Sequence, residues 1–253
     1  YVAGKVKDQK QALDYSLKMA KELIAYGFNP EKTYFIIDQI YTNIYNLAIK
    51  LSRKVNYSEI KATYGYKPED NIGLHFYPSV QAAHITLPQE NFGIKNVLVP
   101  IGPDEDAHIR ICRDIQDRFG YNKASILHSK FFPGIDGEKM SKSRNNAIFL
   151  SDDEKTVRKK ISKAFSGGAV TAEEHRKHGG KPEEDVSIFY LTNLFLDDKN
   201  SEKLIKDYKE GKLLSGEVKK MLADKVVEFV KEFHSKLSKV SEKDLDKSIM
   251  KNK

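Results

Sequence analysis

The run Asn96-Val97-Leu98-Val99-Pro100-Ile101 is continuously apolar, the pattern of a strand that a parallel sheet buries on both faces, and a Gly102-Pro103 turn follows it at once. Asp104-Glu105-Asp106 then opens a helix. Its acidic first turn offsets the positive end of the helix dipole, Ile111, Cys112, Ile115 and Phe119 fall on one stripe, and Gly120 stops it. Ala124 to Leu127 reads as the next strand. Strand, helix and strand within about 35 residues predict a right-handed βαβ crossover, which commits this part of the chain to an α/β fold. Ligands of open α/β sheets gather at the carboxyl ends of the strands, so Gly102 to Asp106 and the segment just past the second strand are expected to face one crevice.

That segment carries Glu138-Lys139-Met140-Ser141-Lys142-Ser143, just after Gly134 and Gly137. Two lysines three apart supply point charges, the serines supply hydroxyl donors and the glycines supply a hinge, a combination suited to charge growing on a transferring phosphate. Taken alone it reads equally as a solvated, lysine-rich surface loop. Gly102-Pro103-Asp104-Glu105-Asp106 is open in the same way. The glycine permits close approach of a ligand and the carboxylates can accept from ribose hydroxyls or an amino group, yet acidic residues in a first turn also serve as ordinary helix caps.

The opening of the chain alternates. Ala12, Leu13, Leu17, Ala20 and Leu23 recur at helical spacing from Lys10 to Leu23, and Gly27-Phe28-Asn29-Pro30 ends that segment. Thr33 to Ile37 reads as a strand, Tyr41 to Lys50 as a helix and Ser58 to Tyr64 as a short helix before Gly65, while Gly73, Pro78, Pro88 and Gly93 mark a loop-rich stretch around His75 to His84. Beyond the lysine-serine cluster, Ser151-Asp152-Asp153-Glu154 and Thr171-Ala172-Glu173-Glu174 read as capping boxes, the first starting a basic helix through Lys163. From Val186 the chain reads as a helical bundle: Ile188 to Phe195, Leu204 to Tyr208, and a long helix from Ser215 whose Val218, Met221, Leu222, Val226, Phe229, Val230, Phe233 and Leu237 make an apolar stripe. The lysine-rich end after Ser241 is expected to fray.

Composition excludes several classes. The 253 residues, 40% hydrophobic and 31% charged, can bury one large or two modest cores. No apolar run approaches the roughly 20 residues of a membrane span, and the start is neither a signal peptide nor a transit sequence. A single cysteine, Cys112, allows no internal disulfide and suits a reducing cytoplasm. The close pair His175 and His178 lies among cations that disfavour a metal and reads as a polar helix end, so no metal site is expected. A net charge of +7 is compatible with a polyanionic partner such as RNA.

Joined together, these segments resemble a known family. Lys139 to Ser143, Lys-Met-Ser-Lys-Ser, is similar to the second signature of class I aminoacyl-tRNA synthetases. Asn96 to Asp114, Ile126 to Pro133 and that loop, in this order and spacing, resemble the tryptophanyl-tRNA synthetases of the archaeal and eukaryotic type. Ser79-Val80-Gln81-Ala82-Ala83, Ala164-Phe165-Ser166-Gly167-Gly168, Glu173-Glu174-His175-Arg176 and Asp185-Val186-Ser187 resemble the same family, so the likeness covers nearly the whole chain.

The resemblance implies a tryptophan-tRNA ligase with ATP and Mg2+ as substrate, tRNA as partner, no tightly bound metal or organic cofactor, no membrane, and a homodimer when full length. It places Gln81 on the amino acid's α-amino or carboxyl group, Gly102 and Asp104 near the nucleotide ribose, and Lys139, Met140, Ser141 and Lys142 in a mobile loop over the triphosphate, with Lys139 and Lys142 as the catalytic cations. The family usually has glutamine where this chain has Glu105, which is assigned to the amino acid as well; a carboxylate there pairs with an ammonium and repels a carboxylate. The family's first signature, His-x-Gly-His, occurs nowhere among the seven histidines. The expectation is therefore a chain that starts past it at Tyr1, of impaired activity, with an exposed apolar sheet edge. Residues 1–150 would be the connective insert and the second half of a Rossmann-like nucleotide fold, and 151–253 an α-helical domain for the tRNA anticodon. Two alternatives stand beside this. One is the tyrosine-specific sister enzyme, against which the surroundings of Gln81 and Ser166-Gly167-Gly168 count, and the other is a non-catalytic paralogue that binds RNA or a protein partner.

Overall fold

The computed structural model describes residues 8–141 and 144–252, and these pack as two compact units. One runs to Phe131 and takes in the chain from Lys239 onward; the other is Phe132–Ser238. Lys142 and Ser143 lie outside the described residues.

The first unit holds α1 (Gln9–Tyr26), α2 (Ile44–Ser52), α3 (Tyr57–Tyr64), α4 (Ile72–Phe92), β1 (Leu98–Ile101), α5 (Asp106–Arg118), β2 (Ser125–His128) and, from the end of the chain, α11 (Glu242–Ser248). The expected strand–helix–strand unit is present: β1 and β2 pair in parallel, Leu98 beside Ser125 and Ile101 beside His128. Burial on both faces is not. Val99, Ile101 and Ile126 pack on the core while Leu98 and Leu127 remain 62% and 57% exposed, because the side chains of a strand alternate and only one face of this sheet is covered.

The stretch from Gly73 to Gly93, expected to be loop-rich, is instead the 21-residue α4 with Pro78 and Pro88 inside it. Each proline removes a backbone donor and costs about 3 kcal/mol in a helix interior. Tertiary packing outweighs this: Ala82, Ala83, Ile85 and Leu87 interlock with Ile44, Leu47, Ala48 and Leu51 of α2 and with Ile109, Cys112 and Ile115 of α5 in one core. Asn71 caps the start through Leu74 N–H, and Gly93, at φ +64°, closes the end in the left-handed region.

Two further expectations change. Thr33 to Ile37 is not a strand; only Phe35 pairs, in parallel, with Ile249. The end of the chain is docked rather than frayed. Ser241 caps α11, Phe35 N–H donates to Ser248 C=O at 2.7 Å, Met250 N–H donates to Phe35 C=O at 3.1 Å, and Asn252 binds both Asn43 N–H and the Thr42 hydroxyl.

The second unit is built from α6 (Glu154–Ser162), α7 (Ala172–His178), α8 (Val186–Tyr190), α9 (Asp198–Lys209) and α10 (Ser215–Leu237). A five-residue π-helical turn, Leu191–Phe195, continues α8. The apolar stripe of α10 meets Val157 and Ile161 of α6 and Val186 and Ile188 of α8, with Tyr208 and Leu204 of α9 in the same core. Thr171 and Glu174 form the expected capping box. The box expected at Ser151 does not form: Asp153 caps α6 through Thr156 N–H at 2.7 Å. Asp152 is already engaged by Lys160 Nζ at 2.6 Å and by Phe149 N–H at 2.8 Å, which holds the chain in a turn before the helix starts.

Candidate functional site

In the first unit, the crossover places Gly102 to Asp106 at the carboxyl ends of both strands, since Ile101 and His128 are register partners. Gly102 leads into a 3-10 turn, Pro103–Glu105. A Cβ at Gly102 would lie 2.7 Å from Asp104 Oδ1, so a side chain there would force the Asp104 carboxylate to move. Asp106 joins the two strand ends: its Oδ2 accepts from Arg110 Nε at 2.8 Å and its Oδ1 pairs with His128 Nε2 at 3.0 Å.

Gln81 of α4 and Glu105, assigned together to the amino acid, are brought into contact. Gln81 Nε2 donates to Glu105 Oε2 at 3.1 Å. Two residues not singled out from the sequence complete the cluster: the Tyr64 hydroxyl donates to Gln81 Oε1 at 2.8 Å, and His108 Nδ1 lies 2.9 Å from Glu105 Oε2. The Tyr64 and His108 rings stack at 4.2 Å with an interplanar angle of 5°. Burial, helped by the nearby Cys112, Tyr77, Tyr66 and Glu105, pushes the Tyr64 phenol far above its ordinary pKa and keeps it protonated. Burial likewise pushes the Cys112 thiol up to about 12, which makes it a small apolar core residue rather than a nucleophile. The sequence held a clue to His108, which stands one helical turn after Glu105; Tyr64 had none beyond ending a helix.

In the second unit, the lysine-serine loop is organised from within. Lys139 pairs with Pro133 in an antiparallel bridge, and Gly134 N–H donates to Glu138 C=O at 2.7 Å. Gly137 turns the chain at φ +85°, with its N–H on Gly134 C=O. Asn146 is the hub. This buried side chain accepts from Ser141 N–H at 2.8 Å and donates to Asp136 Oδ1 at 2.8 Å and to Lys139 C=O at 3.1 Å. Donation from Asn146 holds the carboxyl of the exposed Asp136 below its ordinary range, against a smaller opposing effect of desolvation. Met140 is 36% exposed at the loop's outer side.

His175 and His178 do lie in the last turn of α7, but His175 is not a solvated group there. It is buried, its Nδ1 accepts from Ala169 N–H at 3.4 Å and its Nε2 donates to Leu213 C=O at 3.1 Å, an arrangement that uses the neutral ring. Beside it the buried Asp185 caps α8 through Ser187 and Ile188 N–H and accepts from the Tyr208 hydroxyl at 2.8 Å, and that hydroxyl contacts Ser215 Oγ at 2.8 Å. Gly168 has no room for a side chain here, as its Cβ would lie 2.2 Å from Ser215 Oγ. Thus the segments around Gly168, His175 and Asp185 meet in one structural network. Among the described residues there is no cluster of three or more metal-binding side chains, and no helix is long and apolar enough to cross a membrane.

Comparison with known proteins defines the class to which this fold and motif order belong. Residues 3–231 match the model of the class I tRNA synthetases for tryptophan and tyrosine, and the chain belongs to that family. Its relatives are tryptophan enzymes. It is 43% identical over 87% of its length to the tryptophan–tRNA ligase of Saccharolobus solfataricus, covering 58% of that protein. It is 45% identical over 87% of its length to that of Methanocaldococcus jannaschii, covering 62%. The solved tryptophanyl-tRNA synthetase of Aeropyrum pernix superposes with a TM-score of 0.89 at 31% identity, covering 97% of this chain and 69% of that one. The fold is therefore the class I synthetase fold with a small parallel sheet, and the chain spans about three fifths of the curated relatives it matches.

Proposed function

We propose that this chain is the connective insert, the second half of the Rossmann-like catalytic domain and the tRNA-binding helical domain of a tryptophan–tRNA ligase, with functional domains at 1–150 and 151–253. The activity has two steps, an adenylyl transfer and then an acyl transfer. Tryptophan's carboxylate attacks the α-phosphate of Mg-ATP in line and pyrophosphate leaves; a hydroxyl of the tRNA's terminal ribose then attacks the acyl carbon of the adenylate, gives up its proton, and AMP leaves. Gln81 and Glu105 hold the amino acid, Gly102 and Asp104 the ribose. Met140 and Ser141 line the triphosphate, while Lys139 and Lys142 stabilise charge growing between the α-phosphate and the leaving pyrophosphate, contacts stronger in the transition state than in the ground state. The enzyme works in the cytoplasm as a homodimer.

The observation that carries this reading is the meeting of Gln81 with Glu105 beside Gly102 at the carboxyl ends of two parallel strands. Glu105 in place of the family's usual glutamine favours a substrate group that donates, as an ammonium or an N–H does. The test uses the enzyme with whatever the gene encodes before Tyr1. Lys139→Ala is expected to lower adenylate formation by about two orders of magnitude or more while sparing tryptophan affinity. An unchanged rate refutes the loop's role, and pyrophosphate exchange driven by tyrosine rather than tryptophan refutes the substrate.

A further inference from the structure

The polar cluster in the first unit is a closed circuit, and one group sets the direction of every hydrogen bond in it. An ionised carboxylate only accepts, so Gln81 must turn Nε2 toward Glu105 Oε2, 3.1 Å away. Its Oε1 then faces Tyr64, whose hydroxyl must donate across 2.8 Å. His108 Nδ1, on the same Oε2 at 2.9 Å, must carry a proton. The circuit closes through the rings, since the near-parallel stack of Tyr64 on His108 fixes the plane in which Nδ1 points at the carboxylate. Its members come from α3, α4, the turn before α5 and α5 itself. Glu105 Oε1 and the second hydrogen on Gln81 Nε2 have no partner among the described residues.

We infer that Tyr64 and His108 are positioning residues of the amino-acid site: they lock Gln81 and Glu105 into one hydrogen-bond polarity, which presents an acceptor-only oxygen beside an N–H donor. This rests on the proposed role of Gln81 and Glu105 and deepens it. With glutamine at 105, either end of that amide could face Gln81 and the polarity would be free. Glu105 removes the choice, and Tyr64 and His108 are the two groups able to enforce it from the far side. A ligand atom meeting Glu105 Oε1 must then be a donor, and one meeting Gln81 Nε2 an acceptor.

The test has a ligand-bound arm and a ligand-free arm. Tryptophan binding is read by isothermal titration calorimetry on the enzyme with whatever the gene encodes before Tyr1. Tyr64→Phe keeps the stack and removes the donor; it is expected to weaken tryptophan binding about tenfold, the scale of one hydrogen bond. In a Glu105→Gln background the same change should cost under about twofold, because the amide is already free to turn; this non-additivity distinguishes positioning from general loosening. His108→Phe should behave like Tyr64→Phe. Equal effects of Tyr64→Phe in both backgrounds overturn the inference.

In the protein without ligand, the Gln81 side-chain amide protons, followed by nitrogen-edited NMR, should be split widely and exchange slowly with solvent. Tyr64→Phe should collapse both features with the melting temperature held within a few degrees. A Gln81 amide that exchanges freely in the parent overturns the inference as well. Absence of tryptophan binding by the enzyme with whatever the gene encodes before Tyr1 sinks the proposed function, while the amide measurement still decides the circuit.

Discussion

Around Gln81, polar side chains from three helices and a turn meet one another, whereas around Lys139 the backbone of a loop converges on the single side chain of Asn146. In the first case each partner is anchored separately by a packed helix, with Ala82, Ala83, Ile109 and Cys112 in the core directly beneath. Losing one hydrogen bond there frees a side chain to turn but leaves the helices that carry these groups in place. In the second case Asp136, Lys139 and Ser141 of one loop share the amide of Asn146, beside backbone bonds such as Gly134 N–H to Glu138 C=O. The first arrangement suits a site that must discriminate by fixed polarity. The second suits the phosphate-facing role proposed for this segment.

The comparison breaks most visibly at Asn146. Asn146→Ala removes the amide's bonds to Ser141 N–H, Lys139 C=O and Asp136 Oδ1 and is expected to destabilise the second unit by about 1–3 kcal/mol in urea unfolding. Proteolytic cleavage between Gly134 and Asn146 should become much faster. No comparable opening should follow Gln81→Ala in the first unit; equal protease sensitivity in the two variants would erase the distinction. Asn146→Asp sharpens it further, because a carboxylate at 146 can still accept from Ser141 N–H but faces the ionised Asp136. That variant should be weak at neutral pH and recover as acid neutralises the pair.

An effect no larger than this is expected at Gly134. An alanine Cβ would lie 2.2 Å from Asn146 Nδ2 and 2.5 Å from its Cγ, so Gly134→Ala must push the hub aside. The cost should be about 1–3 kcal/mol, the range of overpacked sites. If the hub is the loop's organiser, Gly134→Ala and Asn146→Ala should be strongly non-additive, and additive losses would show that Asn146 acts elsewhere.

The sequence exposed some of this and hid the rest for identifiable reasons. The crossover was legible because β1, its Gly-Pro turn and the stripe of α5 are local patterns, and the family's motif order drew attention to Gln81 and to Glu105 separately, though not to their hydrogen bond. α4 was not: two prolines and a glycine are strong breakers by local rules, and only the small residues that let α2 and α5 approach on both sides explain why a helix survives them. Nor was the docking of α11, since its lysines look solvated until Phe35, some 200 residues earlier in the chain, supplies a backbone partner. Tyr64, His108 and Asn146 carry no signature of their own. Each matters through hydrogen bonds to groups whose positions tertiary packing decides.

The smallest expected effect concerns what holds α3, and with it Tyr64, against α5. Arg118 near the end of α5 grips Glu59 of α3 with two bonds, Nη1 to Oε2 at 3.1 Å and Nη2 to Oε1 at 2.5 Å, and its Nη1 also reaches Lys54 C=O. The hydrogen bonds from Arg118 hold the Glu59 carboxyl below its ordinary value of 4.5, partial burial opposing them and the Asn56 N–H assisting. A carboxyl whose folded pKa is depressed adds stability above its unfolded pKa and loses it as pH falls through the folded one. Acidification below about pH 4.5 should therefore loosen α3 before the apolar core gives way. Both side chains are partly solvated, so Glu59→Gln should cost under about 1 kcal/mol at neutral pH and reduce the acid sensitivity of the first unit. Urea midpoints of parent and variant should converge as the pH is lowered. A constant gap between them would mean that the grip on α3 is steric rather than electrostatic, and that Tyr64 is positioned by packing alone.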